Sequence, residues 1–278
     1  GGTPEEIAAV HAKGLTRAVN DLLHPATPAS ETSAPAWAQP RDLRTIRQEA
    51  RMAKRGGDRS KIKAFRKMAG DEVLDLRSWW LQRLASDPAP LREKMTLFWH
   101  NHFSTETDDI GRAIWSYQNN TVLRKNALGN FKQFIKEVTV NSGMLIYLNG
   151  YLNTNTAPDE NYGRELQELF TVGKGINNAT PPYAETDVKA AARVLTGWTL
   201  NTTTNASYFN SPKHDITNKQ FSSFYNNTTI TGRSGTTGAN ELDDMLSIIF
   251  STNEVALFMC RKLYRWFVYY DIDATTEA

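Results

Sequence analysis

The sequence predicts an all-α fold, a multi-helix globular array interrupted by one long polar loop with room for a short β-hairpin. Three observations predict it. Apolar residues recur at three- and four-residue spacing in the periodic segments outside residues 199–240, capping residues frame many of those segments, and β-prone islands are confined to the loop.

"TPEEIAAV" at 3–10 opens the first helix: Thr3 is the N-cap, Pro4 takes the first helical position and Glu6 completes a capping box. Residues 1–24 thus form an N-terminal helical segment. Pro25, Pro28, Pro35 and Pro40 interrupt every helix that could form next, so 25–42 is a proline-rich linker expected to cross the surface with little regular structure. Residues 43–278 form the main helical domain. "RMAKRGGDRSKIKAFRK" at 51–67 reads as a solvated helix pair, with phosphate binding as the lesser alternative.

From 71 onward Val73, Leu76, Trp80 and Leu84 make an apolar stripe, and Asp87 with Pro88 starts another helix carrying Leu91, Met95, Phe98 and His102 on one face. Further helices are expected around 112–127, 130–140, 159–172 and 186–197, the last capped by Thr186 and closed by Gly197, with Ala190 to Ala192 allowing a neighbour to approach. Gly173 and Gly175 read as helix terminators. Residues 199–240, rich in Asn, Thr, Ser and Gly, form the loop insertion with its hairpin. A last helix is expected from Ser251 as N-cap with Glu254 as its capping partner. Trp99, Phe103, Trp198 and Trp266 are expected in the core.

Charge and composition exclude several classes. The 32 Lys and Arg nearly cancel the 30 Asp and Glu, and no basic block is interleaved with aromatics, so nucleic acid is set aside. Cys260 is alone, which leaves no disulfide framework, and reads as a small buried hydrophobe. No apolar run approaches the roughly 20 residues of a membrane span, and no targeting peptide is visible. Phosphate loops, nucleophile elbows and H-E-x-x-H are also missing.

"KMTLFWHNHF" (94–103), "ALGNFKQFIKEV" (127–138), "DENYGRELQELFTVG" (159–173), "DVKAAARVLTGW" (187–198), "KHD" (213–215) and "KLYRWFV" (262–268) together resemble the bacterial family called domain of unknown function 1800. The resemblance runs through most of 70–270, with the chain expected to be shortened at both ends relative to the family. It implies a mostly helical, exported protein (periplasmic, cell-surface or secreted) whose relatives are often encoded near sulfatase-like proteins, a candidate partner. It implies no reaction.

The residues themselves offer one chemistry. Glu165 lies on the margin of its helix's apolar face and needs a cation, a donor or a metal, with an ion pair to Arg193 the simplest solution. If the helix begun at Pro88 continued through residue 102, His100 and His102 would face opposite ways; the expectation is that it stops near residue 100, so that His100 or His102 meets Glu165 and the His214–Asp215 pair. His100, His102, Glu165 and His214 would then suit a divalent zinc, manganese or iron ion, with Glu165, His214 and Asp215 as catalytic groups. The alternative for the histidines is core packing. At the level of function, a metal-dependent enzyme stands against a structural or polysaccharide-binding surface protein, the latter favoured by seven tryptophans and an Asn/Thr-rich loop.

Overall fold

A capping box starts the chain's first helix, α1 (Pro4–Lys13): Thr3 Oγ1 accepts from Glu6 N at 3.2 Å and Glu6 Oε2 from Thr3 N at 2.7 Å. The computed structural model describes residues 3–26, 34–38, 43–175 and 181–277. A second helix, α2 (Leu15–Leu23), buries only Ala18 and lies against α5 (Pro90–His102). Of the proline-rich linker, 34–38 holds a single 3₁₀ turn at Ala36–Ala38, whose Trp37 packs edge-on against Tyr117; 27–33 and 39–42 lie outside the described residues.

The basic stretch folds as the solvated pair expected, α3 (Leu43–Arg55) and α4 (Arg59–Ser86), with Asp58 capping α4 at Lys61 N. α4 starts a dozen residues before the apolar stripe that announced it. Asp87 then turns the chain into α5, accepting from Ala89 N at 2.8 Å and pairing with Arg92 at 3.1 Å. After the short α6 (Thr107–Ile110) come α7 (Ala113–Lys125), α8 (Phe131–Thr139) and α9 (Ser142–Tyr147); Asn130 caps α8 and Asn141 caps α9.

The segment expected as one helix at 159–172 is α10 (Glu160–Glu165) running into a π turn at Leu166–Thr171. It ends at Gly173 and Gly175, whose φ of 80° and 75° a side chain would disfavour. The N-cap of the next helix, α11 (Glu185–Val194), is Ala184 rather than Thr186, and Asp187 in the first turn accepts from Ala184 N at 2.8 Å.

The polar insertion holds two small antiparallel ladders where one hairpin was expected. β1 (Trp198–Asn201) pairs with β2 (Ala206–Phe209), and β3 (Lys219–Gln220) with β4 (Thr229–Ile230). Helices α12 (Glu241–Phe250), α13 (Glu254–Phe267) and the short α14 (Ala274–Glu277) complete the chain, so the fold is predominantly helical as predicted. Ser251 does not cap α13 but turns its hydroxyl back to Ile248 O of α12, because α12 runs to residue 250. Cys260 faces solvent, not the core.

One core gathers Trp99, Phe103, Phe134, Leu166, Phe170, Val188 and Leu246, and Trp198 and Trp266 pack against its rim. Within it α10 and α11 pack backbone against backbone at Gly163. A Cβ at Gly163 would stand 2.8 Å from Ala192 N and 2.9 Å from Val188 O, both main-chain atoms held in a helix. Gly163→Ala is therefore expected to destabilise by roughly 1–3 kcal/mol through overpacking. Urea unfolding checks this, and a change below about 0.5 kcal/mol would show that the helices part freely.

Candidate functional site

α5 does not stop near residue 100. Its ladder continues through His102, and Phe103 N still donates to Trp99 O at 2.8 Å. The two histidines consequently leave the helix on opposite sides. His100 rests on Trp80, ring centroids 4.8 Å apart, and burial lowers its pKa. His102 is buried in the core face. Its Nε2–H donates to Phe170 O in the π turn at 3.0 Å, which leaves Nδ1 to accept from Lys262 Nζ of α13 at 2.9 Å. Burial, then the Lys262 charge, push the His102 pKa down to about 3 against the pull of the Phe170 carbonyl. Lys262 lies over the Phe258 ring at 4.5 Å, and burial pushes its pKa down to about 8.

Glu165 closes α10 and is half-buried; burial and the neighbouring Glu168 raise its pKa, opposed by Lys174 and Arg164. Among the described residues it makes no hydrogen bond or ion pair. The Arg193 expected to meet it binds Asp215 instead, Nε to Oδ2 at 2.7 Å. Burial of Asp215 alone would raise its pKa, but Arg193 and Thr217 donate to it and hold it well below the usual carboxylate range.

His214 is fully enclosed. Nδ1 lies 2.9 Å from Thr196 O and Nε2 3.1 Å from Glu241 Oε1, so both nitrogens face oxygen acceptors. Glu241 also accepts from Lys219 Nζ at 2.5 Å and from Arg233 N at 2.6 Å; burial would raise its pKa, and these donors with His214 bring it below the ordinary value. Lys219 and Glu241 are both 0% exposed, and Lys219 also donates to Asp215 O. Asp187, equally buried, accepts from Ser222 N at 2.6 Å and Ser222 Oγ at 2.7 Å. These groups fasten the insertion to α11 and α12.

The convergence expected of His100 or His102 with Glu165 and with His214–Asp215 is thus not formed: no hydrogen bond or ion pair joins any two of the three motifs among the described residues. Nor, among those residues, are three or more His, Cys, Asp or Glu side chains gathered closely enough to hold a metal ion. The physical reason is that each imidazole met a nearer partner, a carbonyl and a lysine for one, a carbonyl and Glu241 for the other. Sequence reasoning missed Lys219 and Glu241, since a lysine in a polar loop and a glutamate in a helix's first turn are ordinarily solvated.

Where the polar insertion does wall a cavity is elsewhere. A space of about 420 Å³ lies between Tyr117, Gln118, Thr121 and Val122 of α7, Glu137 of α8, Val140, Asn141 and Ser142, and the β1–β2 turn at Asn205, Ala206 and Ser207. Ser142 Oγ ties the turn to α9 by donating to Asn205 O at 3.3 Å. Tyr117 is held edge-on by Trp37 and Trp79, with centroids 6.2 and 5.2 Å away. Among the described residues Glu137 supplies the one carboxylate of the lining. Burial would raise its pKa, but Asn126, Lys125 and Gln133 donate to it and lower it. The cavity offers an aromatic ring, amides, hydroxyls and a charged acceptor, with apolar walls between.

Fold and cavity define the class: a helical array whose β-hairpin borders a small open cleft with largely apolar walls and a few polar groups. The chain belongs to the family described as protein of unknown function (DUF1800), whose model matches residues 1–277. That match extends beyond the 70–270 over which the motifs run. No curated protein and no solved structure matches the chain.

Proposed function

We propose that this protein binds a neutral saccharide in the cavity between α7, α8 and the β1–β2 turn. The cavity's composition carries this reading: sugars present apolar C–H faces to an aromatic ring and hydroxyls to amides and carboxylates, and the lining around Tyr117 supplies both kinds of group. Binding is favoured over glycoside hydrolysis because, among the described residues, Glu137 has no second carboxylate across the cavity, and acid–base cleavage ordinarily uses two. This is the polysaccharide-binding alternative raised by the aromatic surplus, and it carries with it an exported location, which cell fractionation checks.

Isothermal titration with glucose-, mannose- and N-acetylglucosamine-based oligosaccharides is the test. At least one series should bind saturably, and Tyr117→Ala should weaken that binding by about tenfold or more, equivalent to ~1.4 kcal/mol, with the circular dichroism spectrum unchanged. Equal affinity of the variant would refute the reading, as would the absence of binding across all three series.

A further inference from the structure

The geometry points to a second binding site: the cleft where α4 faces the α6–α7 turn takes a small molecule bearing a phosphate or sulfate group. This inference stands independently of the saccharide reading. It rests on a space of about 620 Å³ to which α4 contributes Lys67 and Arg77 and the start of α7 contributes Arg112. Arg112 also lines an adjoining space of about 320 Å³ together with Arg51 and Lys54 of α3. Five cationic side chains therefore border one continuous surface on three helices.

Three carboxylates share the larger cleft, namely Asp71, Glu72 and Asp108. Across the two adjoining spaces the cations outnumber them five to three. Lys67 and Asp71 pair with each other at 2.7 Å, whereas Arg77, Arg51 and Lys54 make no ion pair or hydrogen bond among the described residues. Exposed arginines left without a carboxylate are suited to a tetrahedral oxyanion, whose paired oxygens match the guanidinium fork. A bare ion would occupy only a small part of the cleft, so the anion is expected to be one end of a larger organic ligand. This gives a role to the basic stretch 51–67, whose solvated face is otherwise unexplained.

The test uses inorganic phosphate and inorganic sulfate as probes on the whole chain, by calorimetry and by thermal shift at about 150 mM NaCl, where weak surface attraction is screened. At least one probe should bind saturably with Kd of a few millimolar or tighter, and which of the two binds more tightly distinguishes a phosphate ester from a sulfate ester as the ligand. Arg77→Gln and, separately, Lys54→Gln should each weaken binding about three- to tenfold, while Lys132→Gln on α8, outside the cleft, should not. Failure of both probes to saturate overturns the proposal. So does an Arg77→Gln, Lys54→Gln double variant that binds as the unaltered chain does, since both residues are exposed and their replacement leaves the core intact.

Discussion

Glu241→Ala is expected to lower the unfolding free energy by about 3–5 kcal/mol, the cost typical of removing one member of a buried ion pair. The loss goes beyond the missing attraction. Lys219 Nζ, 0% exposed, would keep only the Asp215 carbonyl, while His214 Nε2 and the Arg233 amide would lose the oxygen they now face. Small domains are commonly stable by about 5–15 kcal/mol, so this single change should bring the protein close to unfolding. Urea denaturation at pH 7 measures it. A double variant, Lys219→Met with Glu241→Leu, should recover part of the loss, because no charge is then left buried without a partner. A loss below about 1 kcal/mol for Glu241→Ala alone would mean that water reaches the cluster and that the insertion is held by other contacts.

Acid should unfold the protein through His102 before most carboxylates titrate. Its folded pKa is about 3 against an ordinary 6.5, so between those values the unfolded chain binds the proton and the folded one does not. The contribution is fully present above about pH 6.5 and is lost progressively as pH falls toward 3. At 1.36 kcal/mol per pH unit it amounts to about 2 kcal/mol lost by pH 5, and on the order of 4 by pH 3.5. Lys262 adds a second window with the same slope: its pKa of about 8 lies below the ordinary 10.5, so stability rises as pH climbs from 8 to 10.5. His102→Gln keeps a donor for Phe170 O and an acceptor for Lys262 but cannot be protonated, so its stability should fall less steeply between pH 6.5 and 5, the remaining slope including that of His100, whose pKa burial also lowers. Parallel pH profiles for the two proteins in that interval would show that His102 is not the group responsible.

The local elements were legible because their determinants act within one or two turns. Thr3 and Glu6 satisfy each other three residues apart, Gly173 stops a helix by its own φ, and Met95, Phe98 and His102 share a face by helical geometry alone. The early start of α4 escaped notice because a solvated helix of mixed charge has no apolar stripe to announce it. The π turn escaped for a different reason. Its extra residue is accommodated by Thr171 Oγ1 donating to Leu166 O at 2.6 Å and by the Phe170 carbonyl meeting His102, contacts for which the spacing of apolar residues carries no signal.

The sequence by itself determined a helical fold, the caps of several helices, which residues could be buried, and that His100 and His102 would diverge if their helix ran on. Only the tertiary structure decided who partners whom: His102 with Lys262 from 160 residues away, Arg193 with Asp215 rather than Glu165, and Glu241 with Lys219 and His214. The cavity around Tyr117 is likewise assembled from α7, α8, α9 and a turn more than sixty residues further along. A cap or an apolar stripe is a property of neighbours in the chain, and its energy is fixed once the local backbone is. A buried polar group instead takes whichever complementary atom the packed core brings within about 3 Å, and that choice is made by the packing of helices distant in sequence.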